Sequence, residues 1–225
     1  MFWFVLALAA SYLVGGIPTA LIVGKLLRGI DVREYGSKNA GATNAWRVLG
    51  PKPGITVLAI DAAKGVVAVL LLAEVAAIPL HPVAEPQTMA ILCGLAAIVG
   101  HIWTPYAGFR GGKGVGTAAG VFGAIAPIPV LAALIVFIVV VATTRYISAG
   151  SLCAAVVLPA VLIAQYRMTP DETSLVTVVA ACAVGLLVIV RHRTNIRRII
   201  AGTENRFGRT TGADPVDATV AESRS

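Results

Sequence analysis

Six stretches of this chain, residues 2–27, 55–73, 89–105, 129–146, 148–166 and 174–191, stay apolar for all or nearly all of a membrane crossing. A helix rises 1.5 Å per residue, so about 20 apolar residues are needed to cross a hydrocarbon core roughly 30 Å thick. A seventh, 115–127, is short enough for a half-helix, and Pro127 and Pro129 break it from the next run. Composition agrees: 57% of the residues are apolar, 13% are charged, and the mean hydropathy is +0.85. These values lie outside the soluble range. The opening segment has no basic stretch before its apolar run and no small-residue cleavage site, so it reads as the first span rather than a removed signal peptide.

Loop charge decides the number of crossings, because Lys and Arg collect on the cytoplasmic side. With seven helices, one side receives Lys25, Arg28, Arg33, Lys38, Arg47, Lys52 and Lys64, then Arg110 and Lys113, then Arg145, and finally the run from Arg191 to Arg209. The other side receives Glu74, His81, Glu85, Asp171, Glu172 and only Arg167. Six helices would split the basic clusters between the two faces. The expectation is therefore an all-α polytopic membrane protein of seven transmembrane helices, one of them short, with the N-terminus outside and the C-terminus cytoplasmic. Residues 1–209 form the membrane domain, and the small, polar residues of 210–225 form a disordered cytoplasmic tail.

The net charge of +7 comes from short clusters between apolar runs, with no basic groove interleaved with aromatics, which excludes nucleic acid as a partner. Cys93, Cys153 and Cys182 sit in apolar runs without CxxC or Cys/His spacing and read as small apolar residues. No metal and no cofactor is expected.

Four polar, glycine-rich stretches interrupt the chain, and the topology puts all four on the cytoplasmic side. Residues 31–50 pack Ser37, Lys38, Asn39, Thr43, Asn44 and Arg47 around Gly36, Gly41 and Gly50, a set suited to phosphate. Residues 108–117, GFRGGKGVGT, resemble a phosphate cradle in composition: glycine amides, including those of Gly111 and Gly112, and the charge of Lys113 just before a helix start. The spacing is not that of a Walker A loop, since Gly108 precedes Gly112 by three residues and Gly114 follows Lys113. In residues 144–151, Ser148 and Ser151 are candidates to cap the following helix, with Ser151 also a candidate ligand. In residues 191–205, His192 and Asn195 share a face if helical, and the arginines double as a positive-inside signal. Asp61 and Lys64, three apart inside the second span, should pair with each other.

SYLVGGIP at 11–18, GSKNAGATN at 36–44, GHIWTPYAGFRGGKGVGT at 100–117 and HRTNIRRIIAGTE at 192–204 together resemble the bacterial acyl-phosphate-dependent glycerol-3-phosphate acyltransferases, the PlsY family, over roughly residues 5–205. The chain departs from the family pattern at Lys38, where Gly is usual, and at Ala40, Gly16 and Pro105. The resemblance implies a seven-helix bundle in the bacterial inner membrane, with its site at the cytoplasmic face. Its substrates would be glycerol 3-phosphate and acyl phosphate, its setting membrane lipid, and its product lysophosphatidic acid. It places Ser37, Asn44, Arg47, Gly111, Gly112, Lys113, His192, Asn195 and Glu204 in the site.

An acyl phosphate is already activated, so direct transfer without a nucleophilic serine is expected. The sequence contains no GxSxG, and none of His81, His101 and His192 is followed five positions later by Asp. Lys113 and Arg47 would neutralise the phosphates, and glycine amides or Asn195 would stabilise the carbonyl oxyanion. The hydroxyl proton would go to His192 or to the departing phosphate, with the phosphate favoured because nearby arginines oppose protonation of His192. The rival function is a transporter or channel for a small phosphorylated anion, suggested by Asp61, Lys64 and the short helix.

Overall fold

The computed structural model describes residues 1–78, 83–170 and 173–208. His81 and the expected tail at 210–225 lie outside them. All regular structure among the described residues is helical. The first span divides into α1 (Phe2–Gly16) and α2 (Thr19–Arg28), and a short helix, α3 (Ala42–Leu49), precedes α4 (Pro51–Val67). A π-turn at Ala68–Leu72 continues α4 into α5 (Ala73–Ala76). Then come α6 (Pro86–Ile102), a 3-10 turn at Pro105–Ala107, α7 (Val115–Ile125), α8 (Pro127–Thr144), α9 (Ile147–Met168), α10 (Leu175–Arg191) and α11 (Arg193–Ile200).

Five runs are long and apolar enough to cross a membrane: Phe2–Arg28, Pro51–Ala76, Pro86–Ala107, Pro127–Thr144 and Ile147–Met168. A sixth is obtained by joining α10 to α11, which bends away from it by 57°. The chain is therefore a multi-pass membrane protein, as its hydropathy implies. The expected short segment is α7, of 11 residues, separated from α8 at Ala126 where Pro127 opens the next helix.

Proline also explains the division of the first span, expected as one helix over 2–27. Pro18 has no N–H to give, and the Ile17 carbonyl instead accepts from the Thr19 amide at 2.9 Å and from Lys64 Nζ at 2.6 Å. Asp61 Oδ1 completes the arrangement, accepting from Lys64 Nζ at 2.6 Å and from Thr19 Oγ1 at 3.0 Å. Asp61 and Lys64 are both buried, so the expected pair forms and joins α4 to the α1–α2 break. Each charge is satisfied inside the protein, which removes the main support for an ion pathway.

Helices that meet without a hydrophobic force between them rely on small residues for close approach. A Cβ on Gly100 would lie 2.0 Å from the Tyr12 carbonyl, and one on Gly120 would lie 1.9 Å from the Ala62 carbonyl. These two contacts bring α6 against α1 and α7 against α4. A cluster containing Ile98, Ile102, Val121, Phe122, Leu162, Val184 and Val188 fills the space among α6, α7, α9 and α10.

Candidate active site

Helix α3 shapes one wall of the site. Ala45, Val48 and Leu49 are buried in a cluster with Val32 and Val57, which turns Thr43 and Arg47 toward a cavity. Asn44 holds the preceding loop: its Nδ2 donates to the carbonyls of Val32 and Tyr35 at 2.7 and 3.2 Å, and its Oδ1 accepts from the amide and Oγ of Ser37 at 2.8 and 3.0 Å. Asn44 is fully buried and does not line the cavity, so it orients Ser37 rather than facing a ligand.

The cavity encloses about 350 Å³ and takes a wall from each of the four polar stretches. Ser37, Asn39, Thr43 and Arg47 come from the first, Lys113 from the second, Ser148 and Ser151 from the third, and His192, Asn195, Arg198 and Glu204 from the fourth. Ile55, Leu58, Val115, Phe137, Val141 and Ile147 add an apolar lining. The convergence expected from charge patterning is thus a single chamber.

Glu204 organises the polar part. Its Oε1 accepts from Ser148 Oγ at 2.8 Å and from Asn195 Nδ2 at 2.7 Å, and its Oε2 accepts from Arg198 Nε at 2.7 Å. With one amide N–H committed to Glu204, Asn195 presents its Oδ1 to Lys113 Nζ, which donates to it. Burial acts to raise the Glu204 carboxyl, but the hydrogen bonds from Arg198, Asn195 and Ser148 outweigh it and hold the group below the usual carboxylate range. Lys113 is pushed down to about 8, first by burial and then by the positive charges of Arg198, Arg191 and Arg47, with Glu204 opposing them. Burial also lowers Arg47, whose Nη1 is buried without a hydrogen-bond partner.

His192 lies at the corner between α10 and α11 and is buried. Its Nδ1 sits 2.8 Å from the Val188 carbonyl, an acceptor only, so Nδ1 carries the proton and Nε2 keeps a lone pair. Burial, followed by the charge of Lys113, lowers the ring to about 4, so it is neutral at pH 7.

Two expectations change. The amides of Gly111 and Gly112 do not cradle a ligand, because they donate to the carbonyls of Ile102 and His101 at 3.1 Å each. Neither glycine lines the cavity. A Cβ on Gly112 would meet His101 Nε2 at 2.2 Å, so the residue's lack of a side chain lets the loop fold back on α6. Ser148 and Ser151 do not cap α9, whose N-cap is Tyr146; Ser148 bonds Glu204 instead, and Ser151 donates to the Ile147 carbonyl at 3.0 Å.

Among known proteins, residues 5–202 match the family model described as glycerol-3-phosphate acyltransferase. The glycerol-3-phosphate acyltransferase of Chlorobaculum tepidum is 40% identical over 93% of this chain and 99% of its own, and that of Pelodictyon phaeoclathratiforme is 42% identical over 90% and 96%. The chain belongs to the glycerol-3-phosphate acyltransferase family. Crystal structures of PlsY (YgiH), an integral membrane glycerol 3-phosphate acyltransferase, resemble the fold closely. Its glycerol 3-phosphate form superposes with a TM-score of 0.77 at 33% identity, covering 91% of this chain and 96% of that one. Its lysophosphatidic acid form gives 0.75 at 32% identity, over 91% and 95%.

The acyltransferase cavity also includes residues not expected there. Arg198 lies three residues beyond Asn195 on α11, a spacing that puts both on one face and signals its place. Phe207 packs against Trp46 with ring centroids 5.0 Å apart and the rings tilted by 56°, closing one side of the chamber across a sequence distance that no local pattern reveals. Asp61 and His101 reach its lining from α4 and α6. Among the described residues, no group of three or more His, Cys, Asp and Glu side chains is arranged to hold a metal ion.

Proposed function

We propose that this acyltransferase moves an acyl chain from acyl phosphate directly to glycerol 3-phosphate, releasing lysophosphatidic acid and phosphate. The observation that carries this reading is one chamber that combines Arg47, Lys113 and Arg198 with an apolar wall of Ile55, Leu58, Phe137 and Val141. Its two carboxylates are both paired, Asp61 with Lys64 and Glu204 with Arg198, which leaves Lys113 and Arg47 without an ion-pair partner among the described residues. Such a chamber suits two phosphate groups and the start of an alkyl chain.

The reacting hydroxyl oxygen attacks the acyl carbonyl carbon, a C–O ester bond forms, and the bond from that carbon to the phosphate oxygen breaks. Phosphate leaves with the electron pair. Lys113 and the unpartnered Nη1 of Arg47 neutralise the phosphates, and Lys113 is held for this by Asn195 and, through it, Glu204. The lone pair on His192 Nε2 accepts the hydrogen bond of the attacking hydroxyl and aims it. A ring lowered to about 4 is a poor final base, so the departing phosphate takes the proton. Asn39 and Thr43 supply neutral donors around the acceptor substrate, while Ser37 and Ser151, whose hydroxyl protons go to Asn44 Oδ1 and the Ile147 carbonyl, offer acceptor oxygens.

The chamber lies on the cytoplasmic face of the bacterial inner membrane, with α7 as the short member of seven crossings and the N-terminus outside. The basic residues of the loops support this orientation. A donor such as acyl-CoA would require a grip on a 3′-phosphate and a pyrophosphate, and a carrier protein a docking surface of about 800 Å² per partner. Purified protein should form lysophosphatidate from palmitoyl phosphate and not from palmitoyl-CoA or palmitoyl carrier protein at equal concentration. Comparable rates with palmitoyl-CoA would refute the donor assignment.

A further inference from the structure

Lys113 and His192 enter the chamber from separate parts of the chain, and the residues immediately before them touch. Arg191 Nη2 donates to the Gly112 carbonyl at 3.2 Å. Among the described residues, this and the Lys113–Asn195 bond are the two side-chain hydrogen bonds joining the glycine loop to the α10–α11 corner. On its other side the loop is bonded to the end of α6 through the amides of Gly111 and Gly112.

The Arg191 guanidinium is fixed in place. It lies over the Trp103 ring, 5.9 Å from the centroid, and its Nε is buried without a partner. A basic residue serving only to orient the chain extends its charge to headgroups and water. Arg191 instead spends its planar face and one N–H on the loop that carries Lys113, and forms no salt bridge among the described residues. It does not line the cavity, so it has no contact with the reacting groups.

We propose that Arg191 is a positioning residue that sets the spacing between the Lys113 ammonium and the His192 imidazole by clamping the Gly112 carbonyl to the α10–α11 corner. This rests on the acyl-transfer reading of the same chamber. Arg191→Lys keeps the charge but loses both the planar fork and the stack on Trp103. Displacement of a catalytic group by about 1 Å can cost about a hundredfold in rate. Arg191→Lys is expected to accumulate in the membrane with normal orientation and to lose at least about tenfold in kcat, with little change in KM for glycerol 3-phosphate. Trp103→Leu should lose less, and the double variant should be no slower than Arg191→Lys alone, because both substitutions release the same guanidinium.

Arg191→Gln reports separately on how close the Arg191 charge stands to Lys113. Lys113 also faces Arg47, Arg198, Glu204 and a neutral His192, so deleting one of the surrounding positive charges should shift its alkaline limb in kcat/KM to higher pH. Arg191→Lys should leave that limb in place. Wild-type kcat in Arg191→Lys, or a double variant showing the product of the two single losses, would overturn the positioning role alone. Wild-type protein that makes no lysophosphatidate from palmitoyl phosphate would overturn the underlying donor assignment instead. Should Arg191→Lys fail to accumulate, Trp103→Leu carries the test, and unchanged kcat in that variant overturns the proposal.

Discussion

The lowered Lys113 makes acceptor capture sensitive to alkali in a range where few other groups titrate. With a free-enzyme value of about 8, the ammonium is about nine-tenths protonated at pH 7 and about one-tenth at pH 9. The second ionisation of a phosphate monoester lies near 6, so the substrate is essentially dianionic throughout this interval. If the charged form of Lys113 binds phosphate, kcat/KM should fall about tenfold between pH 7 and pH 9. A bound dianion favours the ammonium, so the limb in kcat should lie at higher pH than the limb in kcat/KM. The assay is the initial rate of lysophosphatidate formation by detergent-purified protein from pH 7 to pH 10, with acyl phosphate hydrolysis subtracted. Lys113→Arg carries a group that does not titrate below about 12, so its remaining activity should show no such limb. A wild-type kcat/KM flat to pH 10, or the same limb in Lys113→Arg, would show that another group is titrating.

Gly120→Ala should lower the melting temperature by an amount corresponding to about 1–3 kcal/mol, because a Cβ there lies 1.9 Å from the Ala62 carbonyl and forces α7 off α4. An unchanged melting temperature would argue against that packing. A cysteine introduced at Glu85 should react with an impermeant thiol reagent in intact cells, whereas Ser223→Cys should not; labelling at Ser223 from outside would sink the seven-crossing orientation. Denatured protein quenched after exposure to labelled palmitoyl phosphate without acceptor should retain no label, and near-stoichiometric retention would contradict direct transfer.

The long apolar runs were legible because bilayer thickness imposes a length on each, and Pro127 marks one break between helices; the break at Pro18 was not read, and the first span was expected as one helix. The buried Asp61–Lys64 pair was legible for a related reason, since charges inside a span must find each other. The short helix α3 was harder to see. It is only eight residues long, and its buried apolar positions, Ala45, Val48 and Leu49, follow a glycine-rich polar stretch that reads as a loop. The roles of Gly111 and Gly112 were misread because composition cannot say which way an amide points, and both are used by carbonyls at the end of α6. The Ser148–Glu204 bond joins residues 56 positions apart, and no local spacing reveals it. Lys38 shows where family pattern and geometry meet. It occupies a left-handed conformation with φ of 58°, which the glycine implied by the family resemblance would adopt freely and in which a lysine is strained.

If the four polar stretches form one catalytic chamber, Lys113→Ala removes one of its central cations. Turnover of purified protein is measured with palmitoyl phosphate and labelled glycerol 3-phosphate, both at saturating concentration, beside the protein's melting temperature and its level in the membrane. Removing a charged clamp of this kind costs about a hundredfold or more in turnover, and that loss is expected with folding and accumulation unchanged. Near-normal turnover would make the glycine loop a connector and would contradict the assignment of the chamber as the site of transfer.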